Sequence, residues 1–144
     1  MNRLLRVGVE LDEYLGKVER TPRAPEWRAS MKNYVPDPIV VEGLSEINEK
    51  VTVVCFCAHW CKDCLKHVPE LAITLRNAKN RKLRLVMLDY DQNKKLAEEV
   101  GVEAIPTFIT FGAKGSETGR IIEHPSPPHK FVSEELLSRL APSK

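Results

Sequence analysis

The stretch Val53-Val54-Cys55-Phe56-Cys57-Ala58-His59-Trp60-Cys61-Lys62-Asp63-Cys64 decides how this chain is read. Val51 to Ala58 is a near-continuous apolar run, the pattern of a strand covered on both faces. It meets Trp60 and a Cys-x-x-Cys pair, after which Leu65, Val68, Leu71, Ala72 and Leu75 recur at helical spacing. A strand that turns into a helix here sets Cys61 at the helix's first turn. Unpaired N–H groups at that end favour negative charge, so the thiol is expected to ionise more easily. The thiolate is the form that attacks disulfides. The local reading is therefore thiol–disulfide chemistry.

The rest of the chain sets the frame for that chemistry. Its 144 residues predict one domain with an N-terminal extension, and a composition of 42% hydrophobic and 29% charged residues supports a real core. A formal net charge of +2 gives no global attraction to nucleic acid. The one basic run, Arg76, Lys79, Arg81, Lys82 and Arg84, reads as a solvated helix end and loop. No run is apolar enough over sufficient length to span a bilayer, and Glu10, Asp12 and Glu13 interrupt any leader-like core. The expected location is cytoplasmic, where the four cysteines stay reduced and a Cys-x-x-Cys is catalytic or metal-binding rather than a structural staple.

Before Pro38 the chain shows no strand-like run. Helices are predicted over Glu10–Val18 and Glu26–Tyr34, with the break Thr21-Pro22-Arg23-Ala24-Pro25 between them, and a short one at Val41–Asn48. Trp27, Met31 and Tyr34 share a helical face suited to packing on the domain. From Val51 the predicted order is β-α-β-α-β-β-α. Strands fall at Val51–Ala58, Leu83–Leu88, Thr107–Phe111 and Arg120–Glu123, with helices at Leu65–Leu75, Lys94–Val100 and Phe131–Leu140. Helical crossovers imply parallel pairing, and the Gly112/Gly115 turn implies an antiparallel hairpin. The fold class is α/β, with a central mixed sheet flanked by helices. Residues 1–39 read as a helical extension and residues 40–144 as the domain proper.

This order resembles the thioredoxin family from about Val40 to Leu140. Ala58-His59-Trp60-Cys61-Lys62-Asp63-Cys64 is similar to the family's active-site turn, and Pro69 to its helix proline. Leu88 to Asn93 is similar to the end of the next strand, and Gly101 to Phe108 to the cis-proline segment. Asp63 between the cysteines, with a helical lead-in, is similar to a small prokaryotic subgroup with a Trp-Cys-x-Asp-Cys site. The resemblance implies that Cys61 attacks a disulfide and that Cys64 then attacks Cys61 to release reduced substrate. It also implies that Trp60 forms part of the docking surface, and that Ile105, before a cis Pro106, offers its backbone to a bound peptide. Lys62 adds a small, screened charge beside Cys61. Asp63 reads in three ways: a proton carrier for the second attack, a like charge opposing ionisation, or an ordinary first-turn residue.

The chain departs from the family where the resemblance implies a buried charged pair. Cys55 stands where many members carry an aspartate, Met87 where a lysine accompanies it, and Cys57 where a tryptophan often packs. Cys55 and Cys57 are expected to be small buried hydrophobes modulating the site; an alternative disulfide from Cys57 to Cys61 or Cys64 is the sharper reading. The implied partners are disulfide-containing proteins and a donor of the thioredoxin-reductase type, with a monomer expected and no cofactor beyond a redox-active Cys61–Cys64 disulfide. Two rival readings remain. One is a zinc module built from Cys55, Cys57, Cys61 and Cys64. The other is a non-catalytic adaptor that docks partners through the same surface.

Overall fold

In the computed structural model, which describes residues 2–140, the chain opens with α1 (Asn2–Val7), β1 (Val9–Glu10), α2 (Leu11–Val18), α3 (Ala24–Asn33) and α4 (Pro38–Ser45). It continues with β2 (Val51–Cys57), α5 (Lys62–Ala78), β3 (Leu83–Asp89), α6 (Lys94–Glu99), β4 (Thr107–Phe111), β5 (Glu117–Ile122) and α7 (Val132–Leu140). The strands form one five-stranded sheet in the order β1-β3-β2-β4-β5. β2 and β3 are parallel, and the other neighbouring pairs are antiparallel.

β2 sits at the centre because both of its faces are apolar. Side chains alternate across the sheet. Val51, Val53, Cys55 and Cys57 face one core layer with Tyr14, Val18, Trp27, Leu44, Leu71 and Leu136 from α2, α3, α4, α5 and α7. Val54 and Phe56 face the other layer with Leu4 of α1 and Leu96 and Ala97 of α6. The centre of the sheet is thus roofed on both sides, as the apolar run predicts.

The N-terminal region departs from the sequence reading, which has no strand there. β1 pairs antiparallel with β3, Val9 opposite Met87 and Glu10 opposite Val86. A two-residue strand carries too little alternation to be read locally; its pairing is supplied by the open edge of β3. The approach is so close that a Cβ on Gly8 would stand 2.3 Å from Val86 Cγ1 and 2.8 Å from the Leu4 carbonyl oxygen. Only glycine fits there. α1 is likewise absent from the sequence reading and packs Leu4 into the core. Residues before Val40 therefore share the sheet and the core with the rest, and α4 runs across positions 39 and 40. On α3, Trp27 is buried, Met31 packs against the core, and Tyr34 after it meets Phe131 edge-to-face.

α5 and α7 are joined by a buried carboxylate. Glu70 accepts from the Ser133 backbone N–H at 2.8 Å and from the Ser133 hydroxyl at 2.7 Å, in the first turn of α7. Donors at a helix start are otherwise unpaired, so an anion there is favoured. Glu70→Ala is expected to cost about 2–3 kcal/mol in urea unfolding, because it strands two buried donors. Glu70→Gln keeps an acceptor and is expected to recover most of that loss. Burial holds the Glu70 carboxyl above its ordinary value against the pull of these hydrogen bonds. The folded state therefore keeps this proton to higher pH than the unfolded chain. Its contribution to stability is fullest below the ordinary carboxylate range and declines as pH rises through the raised value. Glu70→Gln is expected to flatten that part of the stability profile.

Candidate active site

The chain places Cys61 by ending β2 and capping α5 with the same short turn. Cys61 is the N-cap of α5, in extended conformation (φ −80°, ψ 121°). Its Sγ accepts from the Cys64 backbone N–H at 3.2 Å. The Cys61 thiol in turn donates to the Ile105 carbonyl oxygen at 3.6 Å. Cys61 retains 8% of its surface and Cys64 none, so Cys61 is the more accessible of the two sulfurs. All four cysteines are free thiols.

The second wall comes from the loop before β4. The Ile105–Pro106 peptide is cis, Pro106 is buried and Ile105 is half-buried. On the other side, Trp60 is 47% exposed, leaving about half its ring open to a partner. Its indole N–H donates to Asp91 Oδ2 at 2.7 Å, which ties the ring to the loop after β3. Lys62 and Asp63 point to solvent in the first turn of α5. Cys55 is fully buried, in register with Met87 of β3 and Phe108 of β4. Its apolar and soft neighbours replace a charged pair without leaving either charge uncompensated. Among the described residues, no group of three or more His, Cys, Asp or Glu side chains is placed to hold a metal ion.

Two residues behind the site escaped the sequence reading. The Trp27 indole N–H donates to the His59 carbonyl at 2.8 Å, and the Tyr14 hydroxyl donates to Cys57 Sγ at 3.3 Å. Their rings meet edge-to-face at 6.2 Å. Both were visible only as apolar positions on amphipathic helices. The signal that marks them is chemical: a buried Tyr or Trp needs a partner for its polar tip, and the end of β2 and the turn after it supply them.

The electrostatics correct the expectation that the helix end alone makes Cys61 acidic. Contact with the Cys64 thiol and burial push the Cys61 thiol up, while the N–H groups of Cys64 and Asp63 pull it down. The upward causes win. Burial also pushes Cys64 up, with Cys57 adding to it. Helix N–H groups do reach the sulfur, but a second buried thiol beside it competes with them.

Residues 8–136 match the family model described as thioredoxin. This chain belongs to the thioredoxin family. The match takes in β1, α2 and α3 as well as the sheet centre. The chain is 36% identical over 97 residues to the thioredoxin-like protein HCF164, chloroplastic, of Arabidopsis thaliana, covering 66% of this chain and 35% of that protein. It is 36% identical over 87 residues to thioredoxin-2, mitochondrial, of Schizosaccharomyces pombe, covering 57% of this chain and 63% of the relative. The matches thus span about a third of the HCF164 relatives' length. Among solved structures, a Pseudomonas aeruginosa protein of unknown function shares the fold of this chain, covering 95% of this chain and 87% of that one, with a TM-score of 0.64 at 19% identity. A malaria parasite thioredoxin-2 aligns with a TM-score of 0.51 at 25% identity, covering 65% of this chain and 82% of the other.

Proposed function

We propose that this thioredoxin-family chain reduces disulfides in proteins or small molecules through the Cys61/Cys64 dithiol. One observation carries the reading: Cys61 Sγ lies at the α5 N-cap under the Cys64 N–H, against Ile105 and beside Pro106. The Cys61 thiolate attacks a substrate disulfide and forms a mixed disulfide, expelling one half as a thiolate. Cys64 then attacks Cys61, the substrate's second sulfur leaves, and the Cys61–Cys64 disulfide remains. The Ile105 carbonyl, bonded to the Cys61 thiol before reaction, is freed to accept an N–H from a bound peptide. Trp60 supplies the exposed apolar contact. Membership of the thioredoxin family supports the same class of substrate, with a thioredoxin-reductase-type donor returning the dithiol. Lys62 and Asp63 tune the site from solvent, and we place the monomeric protein in a reducing, cytoplasmic setting.

An insulin-reduction assay with dithiothreitol as donor tests this. Wild type is expected to accelerate precipitation of the reduced chains, and Cys61→Ser to fall to the uncatalysed rate. Equal background rates for both would overturn the catalytic reading in favour of a docking role.

A further inference from the structure

Glu123 follows the last residue of β5 with its backbone in the left-handed region, at φ 65°. The His124 N–H donates back to the Ile122 carbonyl at 2.7 Å, so Glu123 is the centre of a three-residue turn in its rare, strained form. The Glu123 N–H donates to the Pro106 carbonyl at 2.7 Å. Ile122 pairs with Thr107, so this bond carries the β4–β5 ladder one step further, to the proline wall of the site. Elsewhere among the described residues, positive φ falls to Gly101 and Gly115, which adopt it freely, and to Lys79, which caps the end of α5 where a left-handed residue is usual. Glu123 has neither reason to be there.

Building on the reductase reading, we infer that Glu123 is a specificity-determining residue: its carboxylate, held beside the Ile105–Pro106 wall, favours disulfides that carry a cationic residue next to the reacting cysteine. Backbone strain persists where the surrounding structure enforces it, and it gathers at ligand-facing positions. Here the enforcing contact is the bond to Pro106, one residue from the Ile105 carbonyl that the Cys61 thiol meets at 3.6 Å. Glu123 is exposed and takes part in no ion pair among the described residues, so its charge is left for a partner. Ile122, 55% exposed, adds apolar surface at the same corner.

Charges from α5 flank this corner. Burial and then Lys66 hold the buried His67 below its ordinary value, Asp63 opposes them and His124 adds to them. The first turns of α5 therefore face the segment after β5. The helix side presents exposed charges of both signs, Lys62, Asp63 and Lys66, while the β5 side presents the Glu123 carboxylate. A peptide lying on Ile105 passes between them, with the residue beside its cysteine within reach of a long acidic side chain. A single exposed ion pair contributes little in water, so the effect is a preference between substrates and not a requirement.

Two short peptides test this, alike except for Lys or Glu beside a single cysteine, each joined to nitrothiobenzoate by a disulfide. Attack by Cys61 bonds the peptide sulfur, and the electron pair leaves with the coloured nitrothiobenzoate thiolate, whose release gives the second-order rate constant. The ratio of the Lys-peptide rate to the Glu-peptide rate is expected to be about fivefold higher in wild type than in Glu123→Gln at low ionic strength. Glu123→Lys lowers it further, and added salt brings the wild-type ratio towards that of Glu123→Gln. Urea unfolding is the second arm. Glu123→Gly relieves the turn and is expected to be at least as stable as wild type while losing the preference. Equal ratios in wild type and Glu123→Gln overturn the inference, as does a Glu123→Gly variant less stable than wild type, which marks a residue kept for the fold. Absence of release from either peptide overturns the reductase reading and this inference with it.

Discussion

Cys64→Ser is expected to trap substrate on Cys61. The serine hydroxyl fits the buried site but cannot displace a sulfur from a disulfide. The mixed disulfide formed by Cys61 then waits for an external thiol. In wild type Cys64 stands in the same helical turn, with its backbone N–H 3.2 Å from the Cys61 sulfur. Held together, such groups react at effective concentrations far above those of any added thiol. Turnover in the insulin assay should fall on the order of a hundredfold or more, while the initial attack survives. Intact mass measured without reductant should show one substrate adduct per chain, removed by dithiothreitol. Full turnover with no adduct would show that Cys64 is not the resolving group.

Reactivity at Cys61 is expected to climb steeply with pH. The reactive species is the thiolate, and the Cys64 thiol and burial hold the Cys61 proton above the ordinary cysteine value despite the helix N–H groups. Below that raised value the thiolate fraction, and with it the rate of alkylation by iodoacetamide, grows about tenfold per pH unit. Between pH 7 and 9 the rise should approach a hundredfold with no plateau. A more basic thiolate is also intrinsically more nucleophilic, which offsets part of its scarcity at neutrality. A plateau below pH 8 would mean that the helix N-terminus overrides the neighbouring sulfur. Alkylation mapped to Cys61 alone checks that the measured group is the outer one, since Cys55, Cys57 and Cys64 have no exposed surface.

The parts of the molecule that carry their own pattern were legible in advance. β2 reads as a strand because six of its seven residues are apolar and buried, and α5 as a helix because its apolar residues recur every three or four positions. Thr107–Phe111 has the same bounds in sequence and structure. The order of elements after Val51 holds throughout, and the boundaries differ by a residue or a few. β5 starts at Glu117, earlier than its apolar stretch, since an edge strand needs apolar residues on only one face.

What the sequence alone could not show was contact across distance. Tyr14 and Cys57 lie 43 positions apart, and Trp27 and His59 lie 32 apart. No local period encodes such a pairing; it depends on α2 and α3 folding over the face of the sheet that bears the odd-numbered residues of β2.

From its residues alone, the chain determined its sheet-centred architecture, its dithiol turn and its proline wall, because strand burial, helix periodicity and the spacing of two cysteines act within a few positions. Tertiary structure alone decided how acidic the outer thiol is, which groups stand behind the inner one, and that the N-terminal segment completes the sheet. Those properties are set by burial and by partners that only the folded chain brings within hydrogen-bond reach.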